Sequence, residues 1–408
     1  MNFWNQFPEK EDLISRNSES EGRHYDVNAH VHTPFSFSAF ESIEEAFQMA
    51  KNEGVKVLGI NDFNTTDGYT EWAKFAEEYG VFPLFNIEFV GLSEEEQLKG
   101  IKINDPNNPG RIYISGKGLA YPTMLAEPYY SELENVKINS NRQVKEMCDA
   151  LNAHLGQAGI GLQLSFYEIK QSLSMGMVRE RHLAQALRIK VFAAKDSNSD
   201  RLLLFKKIFS DQALNCDIRN NAALENEIRS KLLKAGGAAF VPERPEQFLN
   251  LEQIMNIILN SGGIPTYPLL ADSVNGGYTE FEERLELLLE ALIKKGIYSV
   301  EFIPNRNSTE ALELYAGFFS KNGFLVSFGS EHNSPDRFPL LLKDRAGNEL
   351  SSLLKKINFE GACVLAAHQY SKARYGDGYL DDSGVPVPGR RQEYISLGTK
   401  ILNDFITK

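Results

Sequence analysis

The chain has 408 residues, 42% hydrophobic and 24% charged, with a net charge of −12, enough for one large domain or two of ordinary size. That acidic balance argues against a nucleic-acid backbone as partner, while leaving room for a small anion at a locally basic site. No segment approaches the ~20 consecutive apolar residues of a membrane helix, the three cysteines form neither a disulfide framework nor a metal knuckle, and Met1–Trp4 lead into an acidic run without a signal-peptide pattern, so a reducing cytoplasm is the expected setting.

The first informative stretch is Asp26–Thr33. Read as a strand, it places Asp26, Asn28, His30 and His32 on one face, because successive side chains alternate. Two of the seven histidines then stand together where the strand runs into Pro34–Ser38. Neutral imidazoles are good ligands for zinc, iron or manganese. Two partly exposed histidines at a strand end would give the same spacing.

Ser42 and Glu45 form a capping-box pattern, and Ile43, Ala46, Phe47 and Ala50 recur at helical spacing up to Gly54. Val55–Ile60 is a short apolar strand ending at Asn61-Asp62-Phe63-Asn64. A helix over about 67–79 stops at Gly80, and Val81–Phe89 reads as a third strand carrying Asn86 and Glu88 on one face. Strands alternating with helices over short connections predict a parallel sheet with helices outside.

From about 94 to 245 the pattern changes. A turn-rich piece (104–110) and a strand at Arg111–Ile114 precede mostly helical sequence. Val144, Met147, Cys148, Leu151 and Leu155 mark one amphipathic face, with further helices over Val178–Ala194, Leu202–Phe209 and Leu224–Leu233. A structureless stretch of this length is improbable in a compact domain, so it reads as a helical insertion, a lid or a dimerisation element. Arg179-Glu180-Arg181-His182 opens one of its helices. Arginines there would suit an anion, as they would a solvated helix face.

The α/β rhythm then returns. Gly263–Pro268 looks like a strand end, Glu282–Lys295 a helix, Tyr298–Ile303 a strand, 307–321 a helix opened by Asn307 and Glu310, and Phe324–Phe328 a strand leading into Gly329-Ser330-Glu331-His332. His368 follows an apolar, strand-like run and reads as a structural histidine. The glycine- and aromatic-rich tail around Arg374–Tyr379 and Gly389–Arg391 offers a segment that could close over a ligand.

His30, His32, Asp62, Glu88, Glu301, Glu331 and His332 thus gather at strand C-termini, the edge where parallel α/β architectures form their sites. Asp62 could instead cap the following helix, and Glu301 could be a solvated carboxylate.

These motifs resemble those of the PHP (polymerase and histidinol phosphatase) family. Tyr25–Thr33 with Ser36 or Ser38 is similar to its first motif, Val57–Gly68 to its second and Phe85–Glu88 to its third; Ser299–Phe302 and Gly329–His332 resemble its closing strands. The resemblance covers about 24–95 and 255–340. It implies an α/β fold, a distorted (β/α)7 TIM-like barrel with a mainly helical insertion. The expected parts are a first barrel segment (1–95), the insertion (96–245), and a second barrel segment with the C-terminal tail (246–408). It also implies metal ions at the strand ends and, most commonly, phosphoester hydrolysis.

The chain departs from the family pattern in several places. Phe63 stands where the second motif has histidine, Tyr267 stands where a later strand has histidine before proline, none lies near Ile112–Ser115, and the final acidic-plus-histidine pair is the adjacent Glu331-His332. The resemblance therefore implies a reduced site. His30, His32, Glu88 and His332 are the expected ligands of one or two divalent ions (zinc, manganese or iron). Asp62 and Glu331 are the expected catalytic carboxylates. Arg179, Arg181, His182 and Tyr267 would contact a small anionic substrate, Tyr267 being either a core filler or an acid/base group. A metal-dependent phosphoesterase is the leading expectation, with the insertion offering a homodimer contact and with no nucleic-acid or membrane partner. An amidohydrolase-like or sugar-isomerase reaction, or a non-catalytic barrel that binds a ligand, are the alternatives.

Overall fold

The computed structural model describes residues 3–15 and 24–408. Seven strands follow one another around one sheet in chain order: β1 Asp26–Val31, β2 Val55–Phe63, β3 Phe82–Leu92, β4 Arg111–Lys117, β5 Ile264–Leu269, β6 Ser299–Phe302 and β7 Leu325–Phe328. The last edge returns to the first. Val31 bridges Glu331, the His32 amide donates to the Glu331 carbonyl at 2.8 Å, and the Ser330 and Glu331 amides both donate to the His30 carbonyl. This is a nearly closed seven-stranded barrel, the TIM-like architecture expected.

β1, β2 and β3 run parallel, as do β5, β6 and β7. β4 is antiparallel to both neighbours. Its reversal puts Arg111, paired with Leu92, at the barrel mouth, and Lys117 a layer below Ser115, which pairs with Glu88. β4 therefore belongs to the barrel, and the boundary expected at residue 95 falls too early. Its small, alternating Ser115-Gly116-Lys117 end is shaped by the barrel interior, not by a helical core.

That interior is polar. Side chains of strands that are not neighbours meet there: His30 with Glu301, Asn61 with Ser115, and Lys117 with Glu301. Parallel barrels normally fill this space with branched apolar residues. Here the apolar core lies between the strands and the outer helices, in a cluster that includes Phe47, Trp72, Phe85, Val300 and Phe328.

Local signals set the helices much as expected. Ser42 accepts from the Glu45 amide and Gly54 ends Ile43–Glu53 at φ 79°, although the Glu45 carboxylate reaches the Glu41 amide instead of closing the box on Ser42. Ser308, not Asn307, caps Thr309–Lys321; the Asn307 amide is used on the Leu270 carbonyl and Asp272. The run around His368 is not a strand but part of the helix Ser352–Tyr375. It is apolar on all sides because it lies between the barrel and the final helix Arg390–Ile406. His368 is satisfied there, with Nε2 on the Gly262 carbonyl and Nδ1 accepting from the Tyr379 amide. Arg374 does not approach the mouth; it pins the N-terminal segment through the Trp4 and Phe7 carbonyls.

The helical region has its own apolar core, from Val144 to Ala239, distinct from that of the barrel. The 29-residue helix Tyr129–Gln157 joins the two, giving Leu133 and Val136 to the barrel core and Val144, Met147, Leu151 and Leu155 to the other. Among the described residues no helix is long and apolar enough to cross a membrane.

Gly361 shows how closely the C-terminal layer is laid on the barrel: a Cβ there would sit 2.0 Å from the Val326 carbonyl oxygen of β7. Helix propensity favours alanine over glycine, but this contact is with backbone and cannot rotate away. Gly361→Ala is expected to destabilise the protein by about 1–3 kcal/mol, measured by denaturant unfolding. A neutral or stabilised variant would show that the helix slides freely on β7.

Candidate metal centre

Three residues converge at the C-terminal ends of β1 and β3: His30, His32 and Glu88, all buried, with donor atoms within 4.8 Å of one another. β1 ends at Val31, between the two histidines, and alternation across it turns both into the mouth. Gly329 lets the end of β7 pass over them; a Cβ there would lie 2.1 Å from the His30 Cβ.

The hydrogen bonds fix which ring atoms face inward. His30 Nδ1 is 2.9 Å from Glu301 Oε2. A carboxylate accepts, so Nδ1 carries hydrogen and Nε2 is left with its lone pair. Ser36 Oγ donates to Asp62 Oδ1 at 2.6 Å, which leaves that hydroxyl to accept from His32 Nδ1 at 3.1 Å. His32 Nε2 is therefore also a lone pair. The two Nε2 atoms are 3.1 Å apart, and Glu88 Oε2 stands 3.2 Å from one and 3.6 Å from the other. Glu88 Oε2 is buried and makes no hydrogen bond of good geometry. The Asn61 amide nitrogen is 3.1 and 3.0 Å from Nδ1 and Nε2 of His30, nearly equidistant and hence off the axis of the Nε2 lone pair.

Three acceptors facing one another require a cation between them. With protons alone, one imidazole must take a second. Burial opposes this for His30, yet the Glu301 carboxylate outweighs burial and raises its pKa to about 9. Burial likewise pushes the Glu88 carboxyl up, and the two imidazoles outweigh it, lowering the pKa to about 2. A divalent ion meets the same requirement with ligand types that zinc, manganese and iron accept. The residues fit the group.

Asp62 does not reach this cluster. Its Oδ1 accepts from the Thr33 amide at 2.7 Å and from Ser36, its Oδ2 accepts from the Thr33 hydroxyl, and it lies 3.9 Å from His32 Nδ1. It holds the Thr33–Ser36 turn, and through Ser36 the His32 ring. Burial pulls its pKa upward against those bonds.

His332 is not brought into the cluster either. Glu331 and His332 both have positive φ, 63° and 55°, so the chain turns sharply at the rim and the two side chains part. The His332 Nε2 donates to the Phe338 carbonyl at 2.8 Å, Nδ1 pairs with Ser330 Oγ, and the ring stacks on Phe40. Both nitrogens are committed, and burial keeps the ring neutral with a pKa near 4. Glu331 goes the other way, into the mouth, paired with Arg306 at 2.8 Å.

Tyr267 faces outward. β5 pairs Thr266 with Ser115 and Tyr267 with Val300, so alternation turns Thr266 inward. The Tyr267 hydroxyl donates to Glu282 at 2.8 Å among the helices. His182 is also absent from the mouth. It sits in the first turn of the helix Glu180–Ala194, accepting from the Arg179 amide and packing edge-on against Phe37. Arg179 and Arg181 do line the mouth.

The cavity above the cluster has a volume of about 440 Å³, and its walls carry Arg111, Arg179, Arg181, Arg229, Lys234 and Arg306 against the carboxylates Glu88, Asp105, Glu180 and Glu331. A protein of net charge −12 is locally basic here. Arg179 rests over the Phe63 ring, 4.8 Å from its centroid, and Phe63 stacks on His32 at 4.7 Å. The aromatic residue in the second motif thus links the insertion to His32. Arg181 contacts Asn226 and the Phe37 ring; burial, with Arg229 and Arg179 nearby, lowers its pKa to about 10.

With this geometry in hand, the PHP domain pattern matches residues 28–301. The chain belongs to the PHP domain family. Among solved structures, a Bifidobacterium adolescentis protein assigned as a metal-dependent phosphoesterase aligns at TM-score 0.51 and 18% identity, over 80% of this chain and 94% of that one. An amidohydrolase from Chromobacterium violaceum, solved with bound sulfate and no metal, aligns at TM-score 0.50 and 17% identity, over 82% and 96%. At such identities the likeness concerns the fold. No curated protein sequence matches the chain. Within this PHP barrel, the motif residues that meet are His30, His32, Glu88 and Glu301. Sequence reasoning missed Lys117, Asn61 and Ser115; the alternation of Ser115 and Lys117 along β4 was the available signal.

Removing the support behind a ligand weakens metal binding without touching the ligand. Asp62→Ala is expected to lower divalent-metal affinity by about 10–100-fold, read by titration calorimetry on the metal-stripped protein. Unchanged affinity would show that His32 is held without it.

Proposed function

We propose that this protein is a metal-dependent hydrolase that cleaves a phosphoester in a small anionic compound. The carrying observation is the convergence of two Nε2 lone pairs and a bare carboxylate oxygen beneath a basic cavity. Family membership and the phosphoesterase neighbour support the same reading.

His30, His32 and Glu88 would hold the ion. Bound there, a divalent ion supplies Lewis acidity, which activates water near neutral pH and offsets charge on a phosphoryl oxygen. The chain's own residues do the rest. Glu301 and Ser36 keep both imidazoles in the ligating tautomer. Arg179 and Arg181 face the mouth and orient the anion by charge-assisted hydrogen bonds. Glu331, held by Arg306 at the same mouth, is the carboxylate assigned to proton transfer at the reacting atoms. Asp62 is a positioning residue acting through Ser36.

Metal analysis of the purified protein, followed by a panel of phosphomonoesters with Mn2+, Zn2+ or Fe2+, tests the reading. Metal should copurify or bind on reconstitution, and His32→Ala should abolish both binding and turnover. A metal-loaded protein silent across the panel would overturn phosphoester hydrolysis; a chain that takes up no metal would overturn the hydrolase itself. Arg181→Ala should raise KM for the anionic substrate by about tenfold or more, from the ~1.5–3 kcal/mol of a hydrogen bond to a charged group, with a smaller change in kcat. Unchanged KM would place the anion elsewhere.

A further inference from the structure

Below the candidate metal centre lies a fully buried lysine. Lys117 has no exposed surface. Its Nζ forms an ion pair with Glu301 Oε1 and donates to the Ala29 carbonyl at 3.1 Å. The other Glu301 oxygen is the partner of His30 Nδ1. The ammonium, the carboxylate and the ligand imidazole thus form one chain across the barrel, from β4 through β6 to β1. A buried amine is expensive to place unless its charge is used, and the polar interior gives it one neighbour to neutralise.

The remaining donors around the centre are already engaged. Glu301 is held on one side by Lys117 and on the other by His30. Asp62 is taken up by Thr33 and Ser36. His332 has both ring nitrogens committed, and Phe63 and Tyr267 offer no ligand to this space. Among the described residues, His30, His32 and Glu88 form the one group able to hold an ion. Charge points the same way. Around the centre three carboxylates (Asp62, Glu88 and Glu301) and one ammonium, that of Lys117, are buried. One divalent ion brings that set to neutrality, whereas a second would leave an excess of two positive charges in a water-poor interior, where charge imbalance is costly.

Resting on the metal-dependent reading above, we propose that Lys117 is a built-in cation occupying the charge position of a further metal, and that it limits this barrel to a single divalent ion. The ammonium supplies positive charge behind His30 without coordination, and ties up the carboxylate that a second ion would need.

The test counts ions. Purified protein, stripped with chelator, is reloaded with Mn2+, dialysed, and assayed by elemental analysis and electron paramagnetic resonance. One equivalent per chain is expected, with the resolved hyperfine pattern of an isolated Mn2+. Two or more equivalents, or the broadened spectrum of coupled ions, would overturn the proposal while leaving the hydrolase reading intact. Zero equivalents would overturn both. Lys117→Ala frees the Glu301 oxygen and is expected to take up a second equivalent under the same conditions; Lys117→Met, which preserves volume, carries the comparison if the alanine variant does not fold. A single equivalent in the folded variant would show that Lys117 is not what excludes the second ion.

Discussion

Everything at the mouth of this barrel depends on two tautomers. His30 and His32 are each obliged to carry hydrogen on Nδ1, the first by a carboxylate and the second by a serine hydroxyl already spent on Asp62. Their Nε2 atoms are left as opposed lone pairs with the Glu88 oxygen beside them. A site built from mutually repelling acceptors is unstable alone and complete with a cation. This frustration concentrates local instability where a ligand removes it, as functional sites commonly do.

The supporting architecture is organised around that demand. Strands that carry His30, Glu88, Ser115 and Glu301 on their inner faces give up an apolar interior for a hydrogen-bonded one. The missing apolar burial is recovered outside the sheet, where Gly361 and Gly398 let successive helices approach one another's backbone and that of β7. The insertion completes the design from above. It contributes no cluster ligand, but brings arginines that a phosphate or carboxylate can bridge.

Period-two alternation made β1 and β3 legible, and with them His30, His32 and Glu88, because strand faces follow from covalent geometry alone. Family motifs gave the barrel. Other features depended on long-range pairing. The direction of β4 is set by its neighbours and not by its own sequence, so Lys117 could not be placed beneath His30. The inward or outward choice at Thr266 and Tyr267 hangs on that same register. His332 was misjudged because it and Glu331 are two successive left-handed residues, which turns their side chains apart, a backbone conformation that composition does not announce. The run around His368 was ambiguous for a general reason: a helix buried on all faces and a buried strand look alike over a few residues.

The helix that belongs to both apolar cores has a mechanical consequence. A domain tethered by a flexible linker can swing as a body, but Tyr129–Gln157 is a stiff rod anchored at one end in the barrel and at the other in the insertion. Any tilt of the roof must be transmitted along that rod to Leu133 and Val136, disturbing the wall of the barrel itself. The 104–110 turns on the opposite side of the cavity are held independently of that rod, Asn104 donating to the Tyr113 and Pro268 carbonyls at 2.9 and 2.8 Å. Arg179 and Arg181, which line the cavity, are thereby mounted on the same frame as the barrel wall that carries the two histidines.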